Sequence, residues 1–304
     1  MEQPQGIVCS LERFATHDGP GIRTLVYMKG CPLTCVWCSS PHTQSKLPDL
    51  LYTSSRCIGS DDCIAICPEK ALQRSAGEPL QIDRDLCNAC GICVEACTSR
   101  ALEISGQSMT VDELFREVDK DSSFYRRSNG GVTVGGGELA MQPEFVSAFL
   151  KKCKEQYIHT AIETCGLAPW IGLESILQYV DLLHFDIKHM DDKVHRELTG
   201  ASNRQILENA RKASKMCTMI IRIPVVPGCN DTEENIIATA KFAASLEGQV
   251  QRIELLPYHQ LGMHRYTQLG KTYQLDDVET PDESHMERLK YIVMSAGVDA
   301  EIVS

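Results

Sequence analysis

No apolar run in this 304-residue chain approaches the roughly 18 residues of a membrane span, so no transmembrane helix is expected. Residues Met1 to Gly6 lack the basic stretch and apolar core of a secretory signal. Basic residues are in deficit, 30 against 41 acidic ones, which leaves a formal charge of −11. A nucleic-acid binder usually carries a basic footprint, so this balance argues against one. There is no solenoid-type repeat and no low-complexity tract. A composition of 43% hydrophobic and 23% charged residues excludes disorder and collagen-like structure. The length allows two domains, or one large α/β domain with an insertion.

Cysteine is in excess. The chain has 15, and ten of them fall between residues 31 and 97. A secreted disulfide scaffold is small and spreads its cysteines along the chain. This chain is large and its count is odd, so the clusters read as metal or iron–sulfur ligands in a reducing cytoplasm.

The periodicity predicts strands at Thr24–Met28, Val132–Val134, Thr160–Glu163, Leu182–Asp186, Met219–Ile223 and Arg252–Leu256. Between and after them it predicts helices at Pro143–Gln156, Leu173–Tyr179, Asn203–Lys215, Glu233–Leu246 and near His285–Ser295. A helix with a capping box, Thr110 as N-cap and Glu113 three residues on, precedes the second strand. Such β/α alternation implies a parallel sheet with helical crossovers. Six or more units suggest a full or partial barrel, with its chemistry at the C-terminal ends of the strands. Residues 51–105 break the rhythm and hold seven cysteines. They read as a small cofactor-stapled insert, flanked by a barrel made of 1–50 and 106–304.

Cys31, Cys35 and Cys38 follow the first of these strands at C-x3-C-x2-C spacing. Three thiolates on one loop can hold three corners of a 4Fe–4S cube and leave the fourth iron open to a substrate. A zinc site with His42 as fourth ligand is the alternative. With Trp37 before the third cysteine, the loop resembles that of the radical S-adenosylmethionine (SAM) enzymes. The resemblance extends to His17-Asp-Gly-Pro-Gly-Ile-Arg-Thr24, Gly130-Gly-Val-Thr-Val-Gly-Gly-Gly-Glu138, Asp186-Ile-Lys188-His-Met-Asp191, Arg222-Ile-Pro-Val-Val-Pro-Gly-Cys-Asn-Asp231 and Leu256-Pro-Tyr-His-Gln-Leu-Gly262. Together these are similar to an activating enzyme of a glycyl radical enzyme, nearly end to end.

The resemblance implies an α/β fold, a partial (β/α) TIM-type barrel of the radical SAM type with an inserted bacterial-ferredoxin-like iron–sulfur domain. It implies that Cys31, Cys35, Cys38 and Lys188 are catalytic. It implies that Trp37, Gly136, Gly137, Glu138, Asp186, Lys188, Arg222 and His259 line the cofactor site. Gly136, Gly137 and Glu138 match a segment that contacts the methionine amino group. The alternatives are a glycine-rich turn, a surface ion pair for Asp186 and Lys188, and structural roles for His259 and Arg222. Glu163 and Thr164 match a monovalent-cation site in some relatives, with glutamate here in place of aspartate.

In the insert, Cys87-x2-Cys90-x2-Cys93-x3-Cys97 is a bacterial ferredoxin run. Cys57-x2-Ser60-x2-Cys63-x3-Cys67-Pro68 has the same register, with Ser60 at the second cysteine position. In two-cluster ferredoxins the fourth cysteine of each run ligates the other cluster. One 4Fe–4S cluster would then use Cys67, Cys87, Cys90 and Cys93. A further 4Fe–4S or 3Fe–4S cluster would use Cys57, Cys63 and Cys97, its last corner left to Ser60, Asp61 or water. Two zinc knuckles are the alternative. Cys9, Cys153, Cys165, Cys217 and Cys229 are assigned no role.

The reaction implied is one-electron cleavage of SAM to methionine and a 5′-deoxyadenosyl radical, which takes hydrogen from a glycine of a partner glycyl radical enzyme of eliminase or lyase type. A flavodoxin or ferredoxin would supply the electron, and a monomer in transient complex with its partner is expected. Two rival readings are a radical SAM enzyme acting on a small molecule and a non-enzymatic iron–sulfur electron carrier. The first is disfavoured because the entry segment and the glycine run together resemble activating enzymes more specifically. The second leaves Cys31, Cys35 and Cys38 unexplained.

Overall fold

An antiparallel pair opens the chain. In this computed structural model, which describes residues 3–303, strand β1 (Gln5–Ala15) runs against β2 (Arg23–Met28). The following segment holds β3 (Asp49–Tyr52), β4 (Leu72–Gln73), β5 (Gln81–Ile82) and β6 (Leu102–Ser105). In it β3 pairs antiparallel with β6, and β4 with β5. Strand β7 (Gln107–Thr110) returns to the edge of β1. Then β8 (Gly131–Gly136), β9 (His159–Thr164), β10 (Leu182–Asp186), β11 (Thr218–Val225), β12 (Val250–Pro257) and β13 (Ala300–Ile302) follow.

The main sheet runs β13-β12-β11-β10-β9-β8-β2-β1-β7. From β2 to β13 every neighbour pair is parallel. The parallel strands lie side by side in chain order, as in a barrel wound in one direction. The sheet does not close, yet residues of β2 and Val303 just beyond β13 line the same cavity. It is therefore a curled, partial barrel. Each of the six predicted strands lies within one of its strands.

The capping box forms. Thr110 Oγ1 accepts from Glu113 N at 3.2 Å, and Glu113 Oε2 accepts from Thr110 N at 2.8 Å. This fixes the start of helix Val111–Asp119, whose Leu114 and Val118 are fully buried. Other predicted helices differ mainly at their ends. The one predicted to start at Leu173 starts at Trp170, because Pro169 stands at its N-cap and Gly172 interrupts the apolar pattern of its first turn. Strands β1, β7 and β13 and the helices Ser122–Ser128, Asp192–Thr199 and Met263–Leu269 are additional to the sequence-based elements.

The cysteine-rich segment has its own small core of Leu50, Leu72, Leu80 and Leu102 with Cys63 and Cys93. Its base is tied to the barrel by Lys29, which is fully buried. Lys29 Nζ donates to the His42 carbonyl at 2.6 Å and to Asp49 Oδ2 at 2.7 Å. Gly106 leaves room for it, since a Cβ there would sit 2.7 Å from Lys29 Cδ. Helix Met263–Leu269 holds the other side. Gln268 Nε2 donates to Thr53 Oγ1 at 2.8 Å, and Arg84 Nη2 donates to the Gln268 carbonyl at 3.2 Å. Residues 1–2 and 304, the ends of the ranges assigned to the barrel, lie outside the described residues. Among the described residues no helix is long and apolar enough to cross a membrane.

Candidate active site and cysteine-lined cavities

The C-terminal end of β2 leads directly into the first cysteine loop. Backbone bonds pin that loop on two sides. Gly30 N donates to Thr43 O at 2.7 Å and Cys31 N to Gln44 O at 3.0 Å. Thr34 N donates to Thr199 O at 2.8 Å and Val36 N to Leu198 O at 3.0 Å. The loop is thus positioned by main chain, independently of what its thiols hold.

Cys31, Cys35 and Cys38 are half-buried and line one cavity of about 410 Å³ at the C-terminal ends of the strands. Trp37, Gly136, Gly137, Glu138, Asp186, Lys188, Arg222 and His259 line the same cavity. Burial pushes the Cys31 thiol up to about 12 and Cys35 to about 11. Free, both are protonated at neutral pH, and binding iron would have to displace those protons. His42 does not line the cavity, so the zinc alternative loses its fourth ligand. Among the described residues no three His, Cys, Asp or Glu side chains converge closely enough to hold a single metal ion. Three thiols facing a cavity of this size fit a cluster with one open corner.

Lys188 Nζ lies 3.1 Å from Asp186 Oδ2. Burial alone would lower the lysine pKa. The Asp186 carboxylate outweighs it and holds the ammonium charged. The pair faces the cavity rather than solvent. His259 is exposed at the cavity rim, where Nδ1 accepts from Leu261 N at 3.3 Å. Trp37 packs with Val226, Tyr258, Tyr266 and Tyr273 beneath Cys35.

Glu138 turns inward. Its carboxylate is 1% exposed and accepts from Thr164 Oγ1 at 2.7 Å, Cys165 N at 3.0 Å, Cys165 Sγ at 3.0 Å and Ala140 N at 3.1 Å. A carboxylate offers about four acceptor positions, so this one is saturated. What the segment offers a ligand is therefore its backbone, and Glu138 holds that backbone in place. Gly137 is needed there, because a Cβ would lie 2.5 Å from the Gly30 carbonyl oxygen. Cys165, assigned no role from sequence, lines the cavity and supplies two of those bonds. The signal available was its place directly after β9.

Arg222, on β11, is also engaged within the protein. It pairs with Glu163 of β9, its Nε lies 2.9 Å from Glu254 Oε2 of β12, and Nη2 donates to the His17 carbonyl at 2.9 Å. Burial raises the Glu163 pKa, but Arg222 outweighs it and holds the group at about 2. Thr164 points to Glu138 and Glu163 to Arg222, so the two side chains do not converge on a shared ion. Asp18 lies 3.9 Å from Arg222, yet burial and the neighbouring Glu163 push its carboxyl from 3.8 to about 7.

That shift has a direction. The folded protein keeps a proton on Asp18 that the unfolded chain loses near pH 4. Stability from this group is therefore full below about pH 4 and declines as pH rises through about 7. Asp18→Asn is expected to remove that decline, on the order of 1–4 kcal/mol. Thermal melts of both proteins between about pH 4 and 8 check it, and parallel pH profiles would refute it.

The seven cysteines of residues 51–105 sort into two cavities. Cys67, Cys87, Cys90 and Cys93 line one. Cys57, Cys63 and Cys97 line the other, with Ser60, Asp61 and Arg74. Of the scattered cysteines, Cys153 and Cys217 are buried in the main core.

Comparison with known proteins follows the same lines. The family model of the radical SAM superfamily matches residues 25–242. Over 295 residues the chain is 44% identical to an isethionate sulfite-lyase activating enzyme of Oleidesulfovibrio alaskensis, covering 95% of this chain and 94% of that protein. Over 306 residues it is 39% identical to an indoleacetate decarboxylase activating enzyme of Tractidigestivibacter scatoligenes, covering 97% and 96%. Among solved structures, a domain of a pyruvate-formate lyase-activating enzyme from Bacteroides vulgatus is similar at 35% identity and TM-score 0.50, over 58% of this chain and 99% of that one.

Proposed function

The chain belongs to the radical SAM superfamily and, within it, to the activating enzymes of glycyl radical enzymes, and from that premise we infer how its cavity serves the activation. SAM and a 4Fe–4S cluster are the superfamily's cofactors. When bound, they supply a one-electron cleavage that yields methionine and a 5′-deoxyadenosyl radical, which takes hydrogen from the partner's glycine.

The chain's own part is positioning and exclusion of water. Cys31, Cys35 and Cys38 would hold the cluster by three of its irons and leave one iron open to SAM. The Gly136–Gly137 backbone, braced by Glu138, would bind the methionine part of SAM. Asp186 and Lys188 offer one anion and one cation on the same wall. Arg222 braces the strand ends through Glu163 and Glu254, and His259 stands at the rim where a glycine loop enters. The observation that carries this reading is the meeting of three thiols, the glycine turn and the Asp186–Lys188 pair in one cavity.

We assign residues 51–105 as an inserted ferredoxin-like domain with two clusters, the first on Cys67, Cys87, Cys90 and Cys93 and the second on Cys57, Cys63 and Cys97. The donor is a flavodoxin or ferredoxin, and the chain acts as a cytoplasmic monomer in transient complex with a lyase- or eliminase-type partner. Relatives of similar identity are named for a sulfite-lyase and a decarboxylase. Isethionate sulfite-lyase is the first partner to offer it, because of the 44% identity.

Asp186→Asn tests the placement of SAM. Losing one charge-assisted hydrogen bond worth about 1.5–3 kcal/mol is expected to weaken SAM binding roughly 10- to 100-fold, with iron content unchanged. Equilibrium binding to the anaerobic protein checks it. Unchanged affinity would place SAM elsewhere in the cavity.

A further inference from the structure

We propose that the cavity of Cys57, Cys63 and Cys97 holds an iron–sulfur cluster with three thiolate ligands, whose fourth corner opens to water at Ser60 beside the guanidinium of Arg74. This rests on reading residues 51–105 as an iron–sulfur domain.

The segment repeats its backbone at an interval of 30 residues. Gly59 at φ +76° answers to Ala89 at +53°, Asp61 at +60° to Gly91 at +83°, and Lys70 at +51° to Arg100 at +54°. The hydrogen bonds repeat as well. Ile64 N donates to Asp61 O at 2.9 Å, and Val94 N to Gly91 O at 2.8 Å. Lys70 N donates to Cys67 O at 3.2 Å, and Arg100 N to Cys97 O at 3.0 Å. Residue 60 therefore stands where residue 90 stands. In one copy that residue is Cys90 and in the other Ser60, and each lines its own cavity. Asp61 holds a left-handed conformation that is strained for a residue other than glycine. The turn of a ligand loop is kept although its cysteine is missing.

A cation stands at this corner. Arg74 Nη2 donates to Cys57 Sγ at 3.0 Å, and Arg74 Nε lies 3.3 Å from Asp61 Oδ1. A Cβ on Gly59 would lie 2.9 Å from Arg74 Nη1, so the loop wraps the guanidinium closely. Asp61 thus has a partner other than iron. Ser60 and Asp61 are both exposed, which admits water to the corner. One thiolate fewer and one guanidinium more make this site less negative than its four-cysteine neighbour. A hydrogen bond to a ligating sulfur acts in the same sense, and both raise a cluster's reduction potential.

An iron held without thiolate is the one that leaves on oxidation. Ferricyanide takes one electron from the four-iron dication. The products are a ferrous ion and a three-iron, four-sulfide monocation, so charge and iron both balance.

The test uses the full chain with Cys31, Cys35 and Cys38 changed to alanine, so that the first loop adds no signal. After anaerobic reconstitution and ferricyanide treatment, two results are expected. One ferrous ion per chain is released to a chelator, and the half-integer-spin resonance of a three-iron cluster appears. Ser60→Cys is expected to abolish both. Arg74→Gln is expected to move the midpoint potential of this cluster downward and leave its neighbour's unmoved. An oxidised protein that keeps its iron and stays silent in electron paramagnetic resonance would overturn the proposal, because Ser60 or Asp61 would then ligate the corner. A protein that binds no iron and sulfide in residues 51–105 would overturn the underlying reading instead. The first result is read on the unsubstituted insert and so does not depend on Ser60→Cys folding.

Discussion

Changing Cys31, Cys35 and Cys38 together to alanine is expected to abolish formation of 5′-deoxyadenosine from SAM. The loss should be at least about 10⁶-fold, the lower end of enzymatic rate enhancements. No other group in the cavity substitutes for these thiols. Cys165 is the nearest candidate, and its Sγ is engaged with Glu138 at 3.0 Å. The fold should survive the change. The loop is held by main-chain bonds to Thr43, Gln44, Leu198 and Thr199 rather than by its cysteines. Iron on the cluster sites proposed for residues 51–105 should also survive, since the seven cysteines there line separate cavities. Product assay and iron content on the same sample check both halves. Residual turnover with only the insert loaded would mean that the chemistry lies outside the first loop.

The second large effect is on stability. Arg222→Leu is expected to leave the half-buried Glu163 without its cation and the buried Glu254 with Arg252 alone. Breaking a buried pair on one side costs about 3–5 kcal/mol. For a chain of this size that corresponds to a melting temperature lower by roughly 10 °C. Arg222→Lys keeps the charge but cannot fork to Glu163, Glu254 and the His17 carbonyl at once, so it should fall between the two. The pH dependence separates this network from a generic cavity. Burial raises and Arg222 lowers the Glu163 pKa, the latter winning at about 2 against an ordinary 4.5. Its contribution is thus full above about pH 4.5 and lost as pH falls towards 2. The wild-type advantage over Arg222→Leu should shrink in that window. Melting temperatures within about 2 °C of each other at neutral pH would contradict the network's role.

Much of this is legible in the sequence. The β/α order follows from period alone, since buried parallel strands read as apolar runs and their helices as stripes. The cysteine loop carries its chemistry in its spacing, the glycine turn and the Asp186–Lys188 pair are implied by the family resemblance, and the cavity brings all three together. Other parts needed the fold. Strand β1 alternates half-buried with exposed residues, so its signal is weak until β2 and β7 flank it. Helix Asp192–Thr199 did announce itself, with Asp191 as N-cap and Gly200 after its end. Its N-cap, Asp191, is also the last residue of the Asp186–Asp191 motif, so the two signals overlap. The inward turn of Glu138 depends on Thr164 and Cys165, 26 and 27 residues away, and no local pattern reports it. The same holds for Arg222, whose partners sit on two flanking strands.

The most direct measurement follows one hydrogen atom. A cognate glycyl radical enzyme, deuterated at its glycine α carbon, is mixed without oxygen with this protein, SAM and a reductant. The expected result is a glycyl signal in electron paramagnetic resonance on the partner and deuterium in the 5′-deoxyadenosine formed. Deoxyadenosine without deuterium, and a partner without a radical, would contradict the activation of a partner glycine from this cavity.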